Sequence, residues 1–586
     1  MNKKDLILNI LLFISQIIVF YYFFCYLFPF KEQLQMFQFT SQYLTETLKQ
    51  AGGVAIYISE FLSQFYVVFW TGPIISALLL TLVALLSSLI LKKINSRNDL
   101  PLIFLLPWLS LLIISLDYDY YEQGTIAYLF LLLFLWLYTN IKTRIKFIYG
   151  ICIIPILYGI AGPIVHLFAI SALFFEFLTN GKKKYISIIY LLIAALSAIA
   201  GTYLGYSRNL TLAFLPEAYC NPLQTVSGIY YAWYALPMTM LLVAYLKRYK
   251  EPVSLKGKCI WEGAQWAIMF LLVYQGIFHF GKLDAQHSMK QDYLLRTEQW
   301  DLVISEFNHD VLSKRRMCVL NLALAHKGQL SERLLDYPQH GIETLMLHWD
   351  QSIYTAQLHS DLYYCMGIIS AAQKFAFEAF VSSRSSGNPR MLKRLIETNL
   401  ITGSYPIADK YIQLLEKTWF YKDWATAHRR FLYNDKAVEE DKILGMKRRC
   451  WKAEASAAKL YTDPVSSLIN LLPACPDNKA GLAYLTSFLL LNKDIETYKT
   501  LQESLYRSPA WRDMTECQQE AIVICSPNDP HFWLEHGVSI KVRNRAIAFM
   551  QKVQDISRSG QNPAVALASE YGKTYWYYYM FNMMDK

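Results

Sequence analysis

The sequence predicts an all-α protein in two parts: a bundle of about nine transmembrane helices, followed by an α-solenoid outside the membrane. Three observations support this fold class. Long apolar runs lie almost entirely before residue 281, positive charges alternate between the loops that join them, and the rest of the chain has helical periodicity without alternating strand runs. We therefore expect a membrane domain over residues 1–281 and a second domain over residues 282–586.

Length and composition agree with a membrane protein of more than one domain. A chain of 586 residues is too long for one hydrophobic core, and its 54% hydrophobic and 17% charged residues depart from the average soluble protein. The formal net charge is +10. Because many of the cations flank apolar runs, the expected partner of the first domain is the lipid bilayer, and no nucleic acid is expected.

Windows of about 20 apolar residues, the length that crosses a hydrocarbon layer about 30 Å thick, define the predicted spans. They lie near residues 6–28, 66–91, 100–116, 124–140, 146–161, 164–179, 185–204, 229–246 and 260–280. Basic clusters flank the fifth and sixth spans on both sides. If both clusters are cytoplasmic, the chain must cross twice and turn at "GIAGP", from Gly159 to Pro163.

The distribution of lysine and arginine predicts the orientation. The predicted outer loops carry only Lys31, Lys49 and Arg208. The predicted inner segments carry Lys3, Lys4, Lys92, Lys93, Arg97, Lys142, Arg144, Lys146, Lys182, Lys183, Lys184, Lys247, Arg248, Lys250, Lys256 and Lys258. We expect a bacterial cytoplasmic membrane protein with its N-terminus inside and the segment after Gly281 in the periplasm. The first span lacks a small-residue cleavage site and is interpreted as a retained helix.

Three stretches of the second half share one pattern, an apolar helix, a polar turn and a second helix. They are "NLALAHKGQLSERLLDYPQ", "NLITGSYPIADKYIQLLEK" and "SFLLLNKDIETYKTLQES", with Gly328 and Gly403 marking the first two turns. They resemble tetratricopeptide-like repeats without a fixed period. Such repeats imply a concave surface that binds a protein or peptide partner. The alternative is that these helices only pack against the membrane domain.

The ten cysteines form no CxxC pair and no Cys/His cluster with zinc spacing, so no structural metal site is expected. Six of them lie in the predicted exported half, at positions 318, 365, 450, 475, 517 and 525. An oxidising compartment permits disulfides there, but the sequence leaves their pairing open.

The loop "SLDYDYYEQG", between the third and fourth spans, is the main candidate for chemistry. It places Asp117, Asp119 and Glu122 among three tyrosines on the predicted outer face. One interpretation is a polar turn whose aromatic rings lie in the membrane interface. The other is a catalytic site.

The catalytic interpretation comes from a resemblance to the C-type membrane glycosyltransferases. A first span, an outer loop of roughly 35 residues and an Asp-x-Asp after the third span are the layout of that superfamily, which uses polyprenyl-phosphate sugars. The resemblance implies that Asp117 and Asp119 are the second acidic motif and that Glu32 stands nearest to the family's base. It further implies Arg208 as the lipid-phosphate ligand and a possible divalent metal.

The whole chain also resembles an uncharacterised family of bacterial polytopic membrane proteins with a domain of unknown function. The stretches "WTGPIISALLL" and "AGPIVHLFAISALFFEF" carry this likeness. The first hypothesis for function is therefore an envelope protein without a resident cofactor that anchors a partner-binding domain, and the alternative is the glycosyltransferase. A transporter has less support, because the apolar centres of the spans carry almost no charge.

Overall fold

The computed structural model describes residues 3–97, 99–179, 185–221, 226, 228–249, 254–307, 313–383, 387–456, 463–505, 508–511, 514–527 and 529–582. Within these ranges all regular structure is helical, and the β-type pairing is confined to one isolated bridge between Tyr120 and Cys220. The predicted all-α class is confirmed. Of the predicted inner cations, Lys182, Lys183, Lys184 and Lys250 lie outside the described residues.

The chain divides into two compact units. The first comprises residues 1–289 with 417–420, and the second comprises residues 290–416 with 421–586. The boundary at 281 between a membrane domain and an exported domain stays a prediction. The helices up to the unit boundary are α1 Lys3–Phe23, α2 Leu27–Glu32, α3 Ser41–Leu48, α4 Gly53–Ser63, α5 Thr71–Ile94, α6 Leu106–Ser115, α7 Glu122–Asn140, α8 Thr143–Ala161, α9 Ile164–Leu178, α10 Ile189–Tyr203, α11 Leu210–Phe214, α12 Ile229–Leu246, α13 Leu255–Phe280 and α14 Leu283–Arg296.

Short helices build the second unit. They are α15 Trp300–Ser305, α16 Lys314–His326, α17 Leu330–Arg333, α18 Ile353–Met366, α19 Ile369–Ser382, α20 Pro389–Thr402, α21 Tyr405–Glu416, α22 Lys422–His428, α23 Asp435–Glu440, α24 Lys442–Ser456, α25 Pro464–Leu471, α26 Lys479–Leu491, α27 Ile495–Leu505, α28 Glu516–Cys525, α29 Pro530–Glu535, α30 Ile540–Arg558, α31 Pro563–Tyr571 and α32 Tyr575–Phe581.

Among the described residues, four helices are long and apolar enough to cross a membrane: α1 from Asp5, α5, α7 and α12. The pair α13 and α14 passes the same test together but bends by 58°. Shorter apolar helices occupy the other predicted spans. One of these, α10, has 15 residues, which rise about 22 Å and fall short of a hydrocarbon layer of about 30 Å. These helices indicate membrane association, and the number nine stays a prediction.

Close packing between α8 and α10 depends on two reciprocal glycine–tyrosine contacts. A Cβ atom on Gly150 of α8 would lie 2.5 Å from the ring of Tyr190 on α10, and a Cβ atom on Gly201 of α10 would collide with the ring of Tyr158 on α8. Small residues that admit a neighbouring side chain are typical of apolar helix pairs. The chain then leaves α8 at Gly162, whose φ is 82°, within the turn predicted from "GIAGP".

Ion pairs connect helix ends that are predicted to lie on the inner side of the membrane. Lys92 at the end of α5 lies 2.6 Å from Asp5 at the start of α1. Lys146 at the start of α8 lies 2.6 Å from Glu176 near the end of α9. Helix ends that the charge pattern assigns to one side of the membrane therefore meet in the folded unit.

In the second unit, the three predicted helix–turn–helix stretches each form two helices. The turns contain Gly328, Gly403 and Lys493, with φ of 70°, 77° and 56°. Left-handed residues of this kind are a common way to end a helix. Consecutive helices from α18 to α21 pack against each other in chain order.

A buried ionic network connects α14, α18 and α20 in the second unit. The guanidinium of Arg390 donates to Asp292 at 2.6 Å and also pairs with Asp361. Arg394 donates to the other oxygen of Asp361 at 3.1 Å and to Glu397 at 2.9 Å. The side chains of Arg390 and Asp361 are each 13% exposed. Asp361 thus bridges two arginines that are largely withdrawn from water, and each arginine has a second carboxylate partner.

Glu520 of α28 should make the stability of the second unit depend on pH. Its carboxylate accepts a 2.6 Å bond from the backbone N–H of Tyr575 at the start of α32, and the residue is 3% exposed. Burial raises the pKa of Glu520 to about 7. The folded state then holds a proton that the unfolded state releases near pH 4.5, so this contribution to stability falls as pH rises to about 7. We expect Glu520→Gln to be more stable than the wild type at pH 8 by up to about 3 kcal/mol.

Thermal unfolding of the full chain in detergent at pH 5 and pH 8 would measure this difference. The wild type should lose more stability than Glu520→Gln between the two values. Equal losses would show that Glu520 does not hold the proton.

Candidate functional site

The loop between α6 and α7 forms a compact turn that is stabilised by its own aspartate. The carboxylate of Asp117 accepts a 2.9 Å bond from the backbone N–H of Asp119, as an aspartate in a turn commonly does. The loop also pairs with residues 219–221. The N–H of Tyr121 donates to the carbonyl of Tyr219 at 3.0 Å, and the N–H of Asn221 donates to the carbonyl of Asp119 at 2.9 Å.

Lys282 brings the two predicted catalytic aspartates together. Its ammonium lies 2.9 Å from an oxygen of Asp117 and 3.0 Å from an oxygen of Asp119, and 4.3 Å from the ring centre of Tyr118. The side amide of Asn221 donates to the other oxygen of Asp119 at 3.0 Å. The aspartate side chains are 7% and 0% exposed, against 34% for Lys282. We call Asp117, Asp119 and Lys282 the Asp–Lys cluster.

Lys282 is held at this position by an unusual backbone conformation. It lies at the 58° bend between α13 and α14, with a φ of 41°. A non-glycine residue in the left-handed region carries a conformational cost, which the surrounding contacts must offset. Burial alone lowers the pKa of Lys282. The hydrogen bonds and negative charges of Asp117 and Asp119 together raise it by more, so the net pKa shift is upward. The ammonium form is therefore favoured.

A second buried cation lies next to the Asp–Lys cluster. The ammonium of Lys31 donates to the carbonyl of Ser115 at 3.0 Å. Burial lowers the pKa of Lys31, whereas the carboxylates of Glu122, Asp117 and Asp119 raise it by smaller amounts. Glu122 itself is 5% exposed. The region therefore holds three acidic and two basic side chains whose charges nearly compensate.

A cation of the chain itself already occupies the Asp–Lys cluster. The ammonium of Lys282 lies between the two carboxylates, where a shared metal ion would have to sit. Within the described ranges, no group of three or more His, Cys, Asp or Glu side chains converges as metal ligands. A neighbouring cavity, lined in part by Tyr120, Gly124 and Tyr219, measures about 10 Å³, room for at most one water molecule.

The other two predicted site residues are Glu32 and Arg208, both in the first unit. Glu32 is 3% exposed and accepts a hydrogen bond from the side chain of Gln33. Arg208 is exposed in the segment between α10 and α11. Their roles as base and as phosphate ligand stay predictions.

Sequence reasoning missed Lys282 and Asn221 as members of the site. A signal for Lys282 is present in "FHFGKLD", which puts a cation directly after the last predicted span, on the predicted outer side, where lysine is disfavoured. Asn221 had no such signal, because its partner Asp119 is 102 positions away in the chain.

An apolar cavity of about 250 Å³ lies between α1, α6 and α13. This approaches the volume of about 300 Å³ at which small-molecule pockets begin. Trp108, Trp266 and Phe270 contribute aromatic walls. The lining also includes Leu116, which precedes Asp117, and Ile277, near the end of α13. The cavity therefore extends to the segments that carry the Asp–Lys cluster.

Comparison with known proteins identifies one family. No curated protein and no solved structure matches the chain. A family model described as "Family of unknown function (DUF6057)" matches residues 2–582. Since the match covers nearly the whole of both units, the chain belongs to this family of unknown function.

Proposed function

We propose that the protein is a non-catalytic anchor of the bacterial cytoplasmic membrane that presents its helical second unit, on the outer side, to a protein or peptide partner. The observation that carries this proposal is the ammonium of Lys282 between Asp117 and Asp119. The only carboxylate pair that the sequence offered for catalysis already has a cationic partner within the chain. Its role is to hold the bend after α13.

A structural role explains the chemistry of the Asp–Lys cluster better than a catalytic one. A divalent cation or a sugar phosphate would have to compete with an ammonium at 2.9 and 3.0 Å from the two carboxylates. Asp119 is fully buried and also accepts a bond from Asn221. A general base needs an oxygen that reaches the substrate, and both oxygens of Asp119 are engaged.

The proposed orientation is supported by contacts at both ends of the apolar helices. Asp5 and Lys92 form an ion pair between the start of α1 and the end of α5, both of which are assigned to the inside. Lys31 and Ser115, both assigned to the outside, are joined by a 3.0 Å hydrogen bond. An inconsistent assignment would place these partners on opposite faces of the bilayer.

Partner binding is supported by apolar side chains on the surface of the second unit. Phe377 and Val381 lie one turn apart on α19 and are 48% and 56% exposed, and Ile407 on α21 is 46% exposed. Helices that stack in chain order offer a continuous surface of this kind, as helical-repeat proteins do. We infer that the second unit is a degenerate α-solenoid.

Reporter fusions test the orientation. A reporter that is active only outside the cytoplasm should be active after residue 300 and inactive after Lys92, Lys256 and Lys183, the last of which lies outside the described residues. The physical reason is the excess of cations on the inner side. Activity of a second reporter, one that works only in the cytoplasm, when it is fused to the C-terminus would contradict the proposal.

The double variant Asp117→Asn/Asp119→Asn, expressed in a strain that lacks the gene, tests whether the two aspartates are catalytic. Asparagine keeps most hydrogen bonds and removes the charge, and the 34% exposed Lys282 can then be solvated by water. We expect full complementation of a deletion strain. Loss of function at a normal protein level would favour an enzyme.

That enzyme would be the second candidate, a C-type glycosyltransferase with a polyprenyl-phosphate sugar donor. The observation that favours it is the apolar cavity between α1, α6 and α13, because its walls accept a hydrocarbon chain and it extends to Leu116 and Ile277. Under this proposal Asp117 and Asp119 would be freed from Lys282 when the donor binds, and a divalent metal or Arg208 would meet the phosphate.

A further inference from the structure

Two cysteines meet in the core of the second unit. Cys450 lies on α24 and Cys475 lies just after α25, and they are 0% and 1% exposed. Leu471, Met446 and Ala453 surround them. Both side chains belong to this one buried cluster, and the thiol of Cys450 also donates to the sulfur of Met446 at 3.9 Å.

We propose that Cys450 and Cys475 are joined by a disulfide bond in the native protein. This rests on the proposed function in one respect, since the bond forms in cells only if the second unit faces an oxidising compartment. Disulfide formation requires Cβ atoms that face each other across a short gap. Two buried cysteines that share one cluster on adjacent segments are suited to this requirement, and a rotation of the side chains would bring the sulfurs together.

The pair is distinguished from the other cysteines of the second unit by its partners. The thiol of Cys318 donates to the carbonyl of Glu343 at 3.1 Å, and that of Cys525 donates to the carbonyl of Ile495 at 3.9 Å. Cys450 and Cys475 instead share one buried cluster. The structure thus selects one pairing from those that the sequence left open.

The oxidant is a disulfide, either of glutathione or of a thiol oxidase. The thiolate of one of the two cysteines attacks one sulfur of that disulfide, a mixed disulfide forms and one thiolate leaves. The other cysteine then loses its proton and attacks the sulfur of the first cysteine, and the second thiolate leaves. The two cysteines lose two protons and two electrons, and the oxidant gains both as two thiols.

Burial determines when the bond forms. Because Cys475 is 1% exposed in the folded unit, an oxidant reaches it while α24 and α25 are still assembling. Once the bond is enclosed, reductants are excluded in the same way. We therefore expect the bond to resist mild reduction until the unit is unfolded.

Mass spectrometry of the full-length protein tests the pairing. Cells are lysed in an alkylating agent, and the purified protein is digested without reduction. We expect a cross-linked pair of peptides that contain Cys450 and Cys475, lighter than the two free peptides by two hydrogen atoms. Cys318 and Cys365 should be alkylated after unfolding. Cys450→Ala should leave Cys475 free or joined to glutathione, whereas Cys365→Ala, at an equally buried position, should keep the cross-link.

The outcomes separate this proposal from the proposed orientation. Reduced protein is also unfolded and refolded with oxidised glutathione. If the cross-link forms there but is absent from the cells, the pairing stands and the second unit does not face an oxidising compartment. If Cys450 and Cys475 stay free in both experiments while the refolded protein has its native helical content, the pairing is overturned. A cross-link between other cysteines overturns it as well.

Discussion

Replacing Lys282 with alanine is expected to destabilise the protein by about 3–5 kcal/mol, because it leaves buried carboxylates without their cation. Asp119 is 0% exposed and Asp117 is 7% exposed, so both carboxylates are largely withdrawn from water. The loss should appear as a lower midpoint of thermal unfolding of the full chain in detergent. The α13–α14 bend should become more sensitive to proteases in the same variant.

Lys327→Ala is the matched control for this variant. Lys327 is 35% exposed, close to the 34% of Lys282, but its partner Asp301 is 82% exposed. An exposed pair contributes about 1 kcal/mol or less. The triple variant Asp117→Asn/Asp119→Asn/Lys282→Met should regain most of the lost stability, because no buried charge is left uncompensated. Equal midpoints for Lys282→Ala and Lys327→Ala would show that the Asp–Lys cluster does not stabilise the fold.

Asp361→Ala is expected to destabilise the second unit by roughly 3 kcal/mol, because it leaves buried guanidinium N–H groups without their acceptor. Asp361 accepts from both Arg390 and Arg394, whose side chains are 13% and 18% exposed. Arginine keeps its charge under all ordinary conditions, so the variant cannot escape the cost by losing a proton. Urea unfolding followed by tryptophan fluorescence would measure the change.

Asp409→Ala provides the comparison for Asp361→Ala. Asp409 is 29% exposed and pairs with Arg429, which is 41% exposed, at 3.2 Å. Its loss should cost about 1 kcal/mol or less. If Asp361→Ala is no more destabilising than Asp409→Ala, the two arginines find other partners and the network is not essential.

Local patterns predicted the helices and many of their ends. Gly328 and Gly403 mark turns because a left-handed residue ends a helix, and this signal is contained in a few neighbouring residues. Hydropathy likewise located the apolar helices. It did not predict that α10 is too short to cross a typical bilayer without tilt or thinning, because hydropathy averages over a window and does not determine where helical hydrogen bonding stops.

Of the Asp–Lys cluster, the sequence predicted the two aspartates but not the lysine. Asp117 and Asp119 are conspicuous because acidic residues between two apolar runs are rare, and this rarity is visible in the sequence. Whether they are free or compensated depends on a lysine that the fold brings from the end of α13. A tertiary contact of this kind leaves no periodic trace in the chain.

The distance along the chain between Asp119 and Lys282, 163 positions, has a consequence for biosynthesis. At a translation rate of about 5–20 residues per second, the loop between α6 and α7 emerges roughly 8–33 s before its lysine. During this interval the nascent chain carries an acidic loop that cannot yet be buried. Final packing of the loop must wait until α13 has been inserted. Chains that terminate before residue 282 therefore keep an open, hydrated loop, and we expect membrane quality-control proteases to degrade them faster than chains that end just beyond it.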